Sequence, residues 1–141
     1  MKARCLALAS GLALVLPAAS SAATFRGEAV DDPQTAVTLR VSKAGVVSFD
    51  YTGVLVECSN GDRVREPGAE HSTMLGDDLR FSDTITTDLP DHAQGKSFVK
   101  GRLRGRKAVG ALSYDLLYDG GECHSGKVRW KAHRRPRPSA G

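Results

Sequence analysis

No two cysteines or histidines of this 141-residue chain stand at the short fixed spacings, such as C-x2-C or H-x3-H, that zinc sites usually use. There is no glycine-rich phosphate loop and no dinucleotide fingerprint, so no nucleotide cofactor is expected. No apolar run reaches the ~20 residues that span a bilayer, and apolar residues rarely recur at the helical period. Aromatic residues make up 6% of the chain, with one tryptophan. They do not interleave with the basic residues as the stacking platforms of single-strand nucleic-acid binders do. What is present is a leader-like N-terminus, a period-two body and a basic tail.

The chain opens with Lys2 and Arg4, an apolar run from Cys5 to Leu16, then Pro17 and small residues to Ala23. A basic start, a short apolar run and a small-residue cleavage site are the three parts of a secretory signal peptide. Residues 1–23 are therefore expected to leave after Ala22 or Ala23, giving a secreted, extracellular or envelope-associated product. No transmembrane segment should remain after cleavage. Cys5 begins the apolar run instead of ending it, which argues against a lipid anchor. The 118 residues that follow suit one domain, 24–133, expected to be monomeric. Net charge falls from +4 to +2 when Lys2 and Arg4 leave, and to −1 once Arg134, Arg135 and Arg137 are set aside. Those three arginines sit in 134–141, which has two prolines and no apolar period and is expected to be a disordered basic tail.

The mature chain would keep Cys58 and Cys123, 65 positions apart. An even pair in an exported chain predicts one disulfide. The rival reading joins both cysteines and His124, with His71, His92 or His133, around a metal, but the spacing is wrong for it and no metal site is assigned. Each cysteine sits in an E-C-x-x-G frame, at Glu57–Gly61 and Glu122–Gly126, placing it at a strand end before a turn.

Period-two alternation recurs along the body. Val37, Leu39 and Val41 share one face; after a turn at Ser42–Gly45, Val47, Phe49 and Tyr51 resume it. Thr24–Val30 and Leu79–Thr87 read as strands, and Phe98–Arg104 with Val109–Tyr118 as a hairpin about Gly105–Lys107. In the last strand Val128, Trp130 and Ala132 face inward. Ser59–Asp78 is polar and reads as the longest loop; Asp88–Gly95 reads as another. Several short strands without helices predict an all-β fold, an antiparallel β-sandwich or small β-barrel with one disulfide.

The stretch "GRLRGRKAVGALSYDLLYDGGECHSGKVRWKAHR" carries Gly101, Ala108 and Gly110, then Cys123, Ser125, Gly126, Val128, Trp130 and Ala132. It resembles the ending of small exported, all-β, uncharacterised proteins of high-GC Gram-positive bacteria, C-x-[ST]-G-x-V-x-W-x-A, over about a quarter of the chain. The resemblance implies fold and export and carries no activity.

Lys100, Arg102 and Arg104 alternate onto one strand face, with Arg106 and Lys107 in the turn beyond. In a meander the last strand would lie two positions away and add Lys127, Arg129 and Lys131. This set is the candidate anion-binding surface, suited to an anionic cell-envelope polymer. The competing reading is a solvated sheet face that discourages edge pairing, with Asp115 on the same side. No catalytic residue is assigned. His71-Ser72 and His124-Ser125 are neighbours in sequence, which is not triad geometry, and neither serine lies in a nucleophile elbow. The expected product is a non-enzymatic binding or envelope-associated module, with loops 59–78 and 88–96 as further recognition edges. The alternatives are a small secreted hydrolase using His71, His124 or a loop carboxylate, or an inhibitor presenting a loop to a protease.

Overall fold

A computed structural model describes residues 21–136, with side chains from Ala23 onward. Eleven strands account for most of it: β1 Ser21–Ala29, β2 Ala36–Ser42, β3 Val46–Thr52, β4 Val54–Cys58, β5 Arg63–Glu66, β6 Ala69–Met74, β7 Arg80–Asp88, β8 Gln94–Arg104, β9 Lys107–Tyr118, β10 Gly121–His124 and β11 Val128–Arg134. All ladders are antiparallel. No helix among the described residues is long and apolar enough to cross a membrane.

The long strand β9 organises the molecule. One of its edges pairs with β8 from Lys107 to Leu117; the other is shared, with β11 taking Lys107–Leu112 and β10 taking Asp115–Tyr118. The sheet therefore branches. In one direction β9, β11, β1, β2, β3 and β6 follow in order, and β8 and β7 continue from the opposite edge of β9. These eight strands curl into a half-barrel that brings β6 near β7, although no ladder joins those two. In the other direction β10, β4 and β5 form a flange.

The inward positions read from alternation are the buried ones. Val37, Leu39, Val47, Phe49, Tyr51, Trp130 and Ala132 are all buried, while Arg40, Arg129, Lys131 and His133 are exposed. Phe49 lies 4.9 Å from Trp130, centroid to centroid, at the middle of the core. The Trp130 ring rests on the cross-strand pair Gly101 and Gly110, because a side chain at either position would occupy its space. A Cβ on Gly110 would fall 2.0 Å from the Lys100 carbonyl oxygen and 2.6 Å from the Trp130 ring. Gly110→Ala is expected to cost at least ~2 kcal/mol, or a fall in Tm of roughly 8 °C on thermal melting. Trp130 Nε1 is buried without a hydrogen-bond partner among the described residues, so the ring is held by packing alone.

Several expectations are corrected. The polar stretch 59–78 is not one loop: it contains β5 and β6. Its strands were hidden because β5 is largely exposed and the buried inner residue of β6 is a histidine. The loop 88–95 shrinks to a tight turn at 89–93, where Asp91 and His92 adopt positive φ, as two-residue hairpin turns require. The strands are not all short, since β8 and β9 run to 11 and 12 residues. Arg134 belongs to β11, and the Arg135 N–H donates to the Thr24 carbonyl at 2.7 Å, so the expected tail starts later than residue 134. Residues 137–141 and most of the expected signal peptide lie outside the described residues; Ser21–Ala23 extend β1.

Candidate functional site: the basic outer face

Cys58 and Cys123 are cross-strand neighbours joined by a disulfide, S–S 2.05 Å. Consumed in that bond, neither is a free thiolate for the alternative metal site with His124. His124 instead lies on the surface between two carboxylates, Nδ1 2.7 Å from Asp115 and Nε2 3.4 Å from Glu122. The hydrogen bond to Asp115, then that to Glu122, raises its pKa above the ordinary 6.5. The associated stabilisation is fully present below 6.5 and lost as pH rises through the higher folded value, and solvent screening keeps it small. An NMR titration should show the His124 ring titrating above 6.5, and Asp115→Asn should move it back down.

The ladder registers assemble the outer face of β7, β8, β9 and β11 row by row. One row holds Arg80, Arg102, Val109 and Lys131; the next holds Ser82, Lys100, Ala111 and Arg129; a third holds Arg104, Lys107 and His133. Spacing is ~6.8 Å between alternate residues of one strand and ~4.8 Å between neighbouring strands. β11 lies two strands from β8, with β9 between them, although the sheet is not a meander, since β10 branches from the same edge of β9.

Of the residues read as anion-binding, Lys100, Arg102, Arg104, Arg129 and Lys131 share this face, and Arg106 sits in the β8–β9 turn at its end. Lys127 does not join them. It lies in the β10–β11 connection and lines a cleft of about 700 Å³ beside Glu122 and Asp31. Arg129 is partly committed, 3.5 Å from Asp31. Lys100, Arg102, Arg104 and Lys131 form no ion pair with the described residues. Asp115 does face outward, but in a separate row opposite Lys96 and His124. Alternation alone did not reveal Arg80, which is brought opposite Arg102 by the β7–β8 register.

A second constellation was not legible in the sequence. His71 of β6 is buried, with Nδ1 2.9 Å from Asp83 of β7 and Nε2 2.8 Å from the Ser97 Oγ of β8. Tyr51 of β3 hydrogen-bonds the same Oγ. With His71 neutral the chain has one direction: Tyr51 O–H donates to Ser97, Ser97 O–H to Nε2, and Nδ1–H to the Asp83 carboxylate. Burial pushes the Tyr51 phenol up to about 12, so it remains a donor. These are the partners and order of a Ser-His-Asp relay. However, Ser97 is only 2% exposed, and neither it nor His71 lines the surface clefts of about 700, 610 and 460 Å³. Its evident work is mechanical: it spans the β6–β7 gap that backbone pairing leaves, together with Thr73 Oγ1, which donates to the Ser82 carbonyl at 3.3 Å.

The chain matches no family model, no curated protein sequence and no solved structure.

Proposed function

We propose that this chain is an exported, non-enzymatic binding module that holds an anionic polymer of the cell envelope against the outer face of β7, β8, β9 and β11. The observation that carries the reading is the group of five cations, Lys100, Arg102, Arg104, Lys107 and Lys131, on one contiguous sheet face without ion-pair partners among the described residues. A surface evolved only for solubility would favour mixed signs. The leader-like N-terminus supports export; the disulfide is compatible with it. The likeness to small exported all-β proteins points the same way.

Titration with linear polyphosphate, a polymer of charge without aromatic groups, tests the reading. Four phosphate contacts from this face predict a log–log salt slope of about −3, a roughly 60-fold loss of affinity between 50 and 200 mM salt. Binding that does not change with salt would remove the electrostatic reading.

The Asp83–His71–Ser97 relay favours a second reading, a hydrolase with Ser97 as nucleophile and His71 as base. Acyl transfer needs an open approach to Oγ and donors near the developing oxyanion, and Ser97 is enclosed. Incubation with a fluorophosphonate is therefore expected to leave Ser97 unmodified by mass spectrometry. A covalent adduct on Ser97 that is lost in His71→Ala would make the protein a serine hydrolase.

A further inference from the structure

The basic face is not polar throughout. Met74 is 60% exposed and Val109 37%, and both line a groove of about 610 Å³ whose other walls include Arg80, Lys100 and Arg102. Gly101 and Gly110 oppose one another in its floor, and a Cβ at either would point to the core, against Phe81 or Trp130. Val46, also exposed, pairs across the ladder with Met74 and extends the apolar strip onto β3. Leu79, next to Arg80 in the chain, is 47% exposed and held at a positive φ of 63°. Exposed aliphatic side chains gathered in a concavity mark an interaction site more often than scattered ones do.

Charge complementarity selects the occupant. Three cations, one of them Arg80 with Asp78 3.9 Å away, stand between two exposed aliphatic side chains, and the groove has no exposed aromatic ring on which a sugar or base could stack. The geometry points to an anionic phospholipid at a bilayer surface: its headgroup phosphate sits among Arg80, Lys100 and Arg102, and its two acyl chains reach Met74 on one side of the cations and Val109 on the other. Guanidinium groups suit the phosphate because their paired N–H donors match its oxygens. The methionine suits a chain of variable shape because its side chain is flexible and polarizable. This contact goes beyond charge capture of a polymer, yet it shares Lys100 and Arg102 with it, so the test must separate the two.

The protein would be co-sedimented with vesicles of phosphatidylcholine alone and of phosphatidylcholine mixed with phosphatidylglycerol, and titrated in parallel with polyphosphate. Wild type should bind the mixed vesicles and not the neutral ones. Met74→Ser with Val109→Ser, which leaves every charge in place, should weaken vesicle binding about tenfold and leave polyphosphate affinity within about twofold. Met74→Asp alone, at the more exposed position, is the second variant; it should abolish vesicle binding without altering the melting curve. Equal vesicle binding by wild type and both variants overturns the lipid site, as does equal binding to neutral vesicles. If Lys100→Glu with Arg102→Glu loses the vesicles but keeps polyphosphate, the lipid site stands and the polymer reading falls.

Discussion

Reduction of the Cys58–Cys123 bond, or its replacement by two serines, is expected to lower stability by on the order of 4 kcal/mol, because a 65-residue closure is returned to the unfolded chain. For a domain with ~5–15 kcal/mol in total, that is a large share. The topology says where the loss falls first. Within the flange, the β4–β5 hairpin joins β10 through a ladder of only two residue pairs, Cys58 with Cys123 and Glu57 with His124, and one of the two is the disulfide itself. The noncovalent ties that remain include a Ser59 N–H bond to the Glu122 carbonyl at 2.8 Å. On the opposite side of the flange, Arg65 reaches Asp32 at 2.8 Å. The β4–β5 hairpin should therefore exchange its amide hydrogens much faster after reduction, while the β1–β2–β3 ladder keeps its protection. Hydrogen exchange with and without reductant checks both halves of that statement, and a uniform loss of protection would show that the flange and half-barrel unfold as one unit.

His71→Ala is expected to cost about 3 kcal/mol, more than removal of an ordinary surface residue by a wide margin. The substitution empties a fully buried position, strips the Asp83 carboxylate of its 2.9 Å bond and takes the acceptor of the Ser97 O–H at 2.8 Å, leaving Tyr51 as the partner of Ser97. It also removes a tie between β6 and β7, whose edges share no ladder. Asp83→Asn is the control: its amide oxygen can still accept from Nδ1–H, so it should cost only ~1 kcal/mol. Chemical denaturation of the three proteins gives the comparison. If His71→Ala and Asp83→Asn melt alike and near wild type, the relay does not hold the seam.

Alternation makes most of the half-barrel legible in the sequence. Val37 to Tyr51 and Val128 to Ala132 carry apolar residues on one side and polar residues on the other, and each segment became a strand of that polarity. Where the inner face is itself polar or small, the same signal vanished. On the core side β6 presents Ala69, His71 and Thr73, and β8 begins with buried Gly95 and Ser97, so both were passed over or started late. Phe98 does not mark the inner face: it lies on the outer face with Lys96 and Lys100, and the inward residues are Ser97 and Val99. The relay was invisible for a related reason. Tyr51, His71, Asp83 and Ser97 come from four strands, and only the curl of the sheet brings them together. β9 also exchanges one partner for another midway, a property of register that no local pattern encodes. The basic face was more legible, because it rests on alternation within β8 and β11. Lys127 was misplaced by one residue of strand length, and Arg80 and Met74 entered only through pairing with strands remote in sequence.

The central claim is that this face holds a polyanion by charge, and reversing that charge tests it most directly. Lys100→Glu, Arg102→Glu and Lys131→Glu can be combined in one protein, since all three side chains are exposed and unpaired among the described residues and the fold should melt as wild type does. Polyphosphate affinity at low salt should then fall at least 100-fold, and the salt slope should collapse from about −3 toward zero. A triple variant that binds polyphosphate as wild type does, with the same slope, would contradict the account and return the face to the role of a solvated sheet surface.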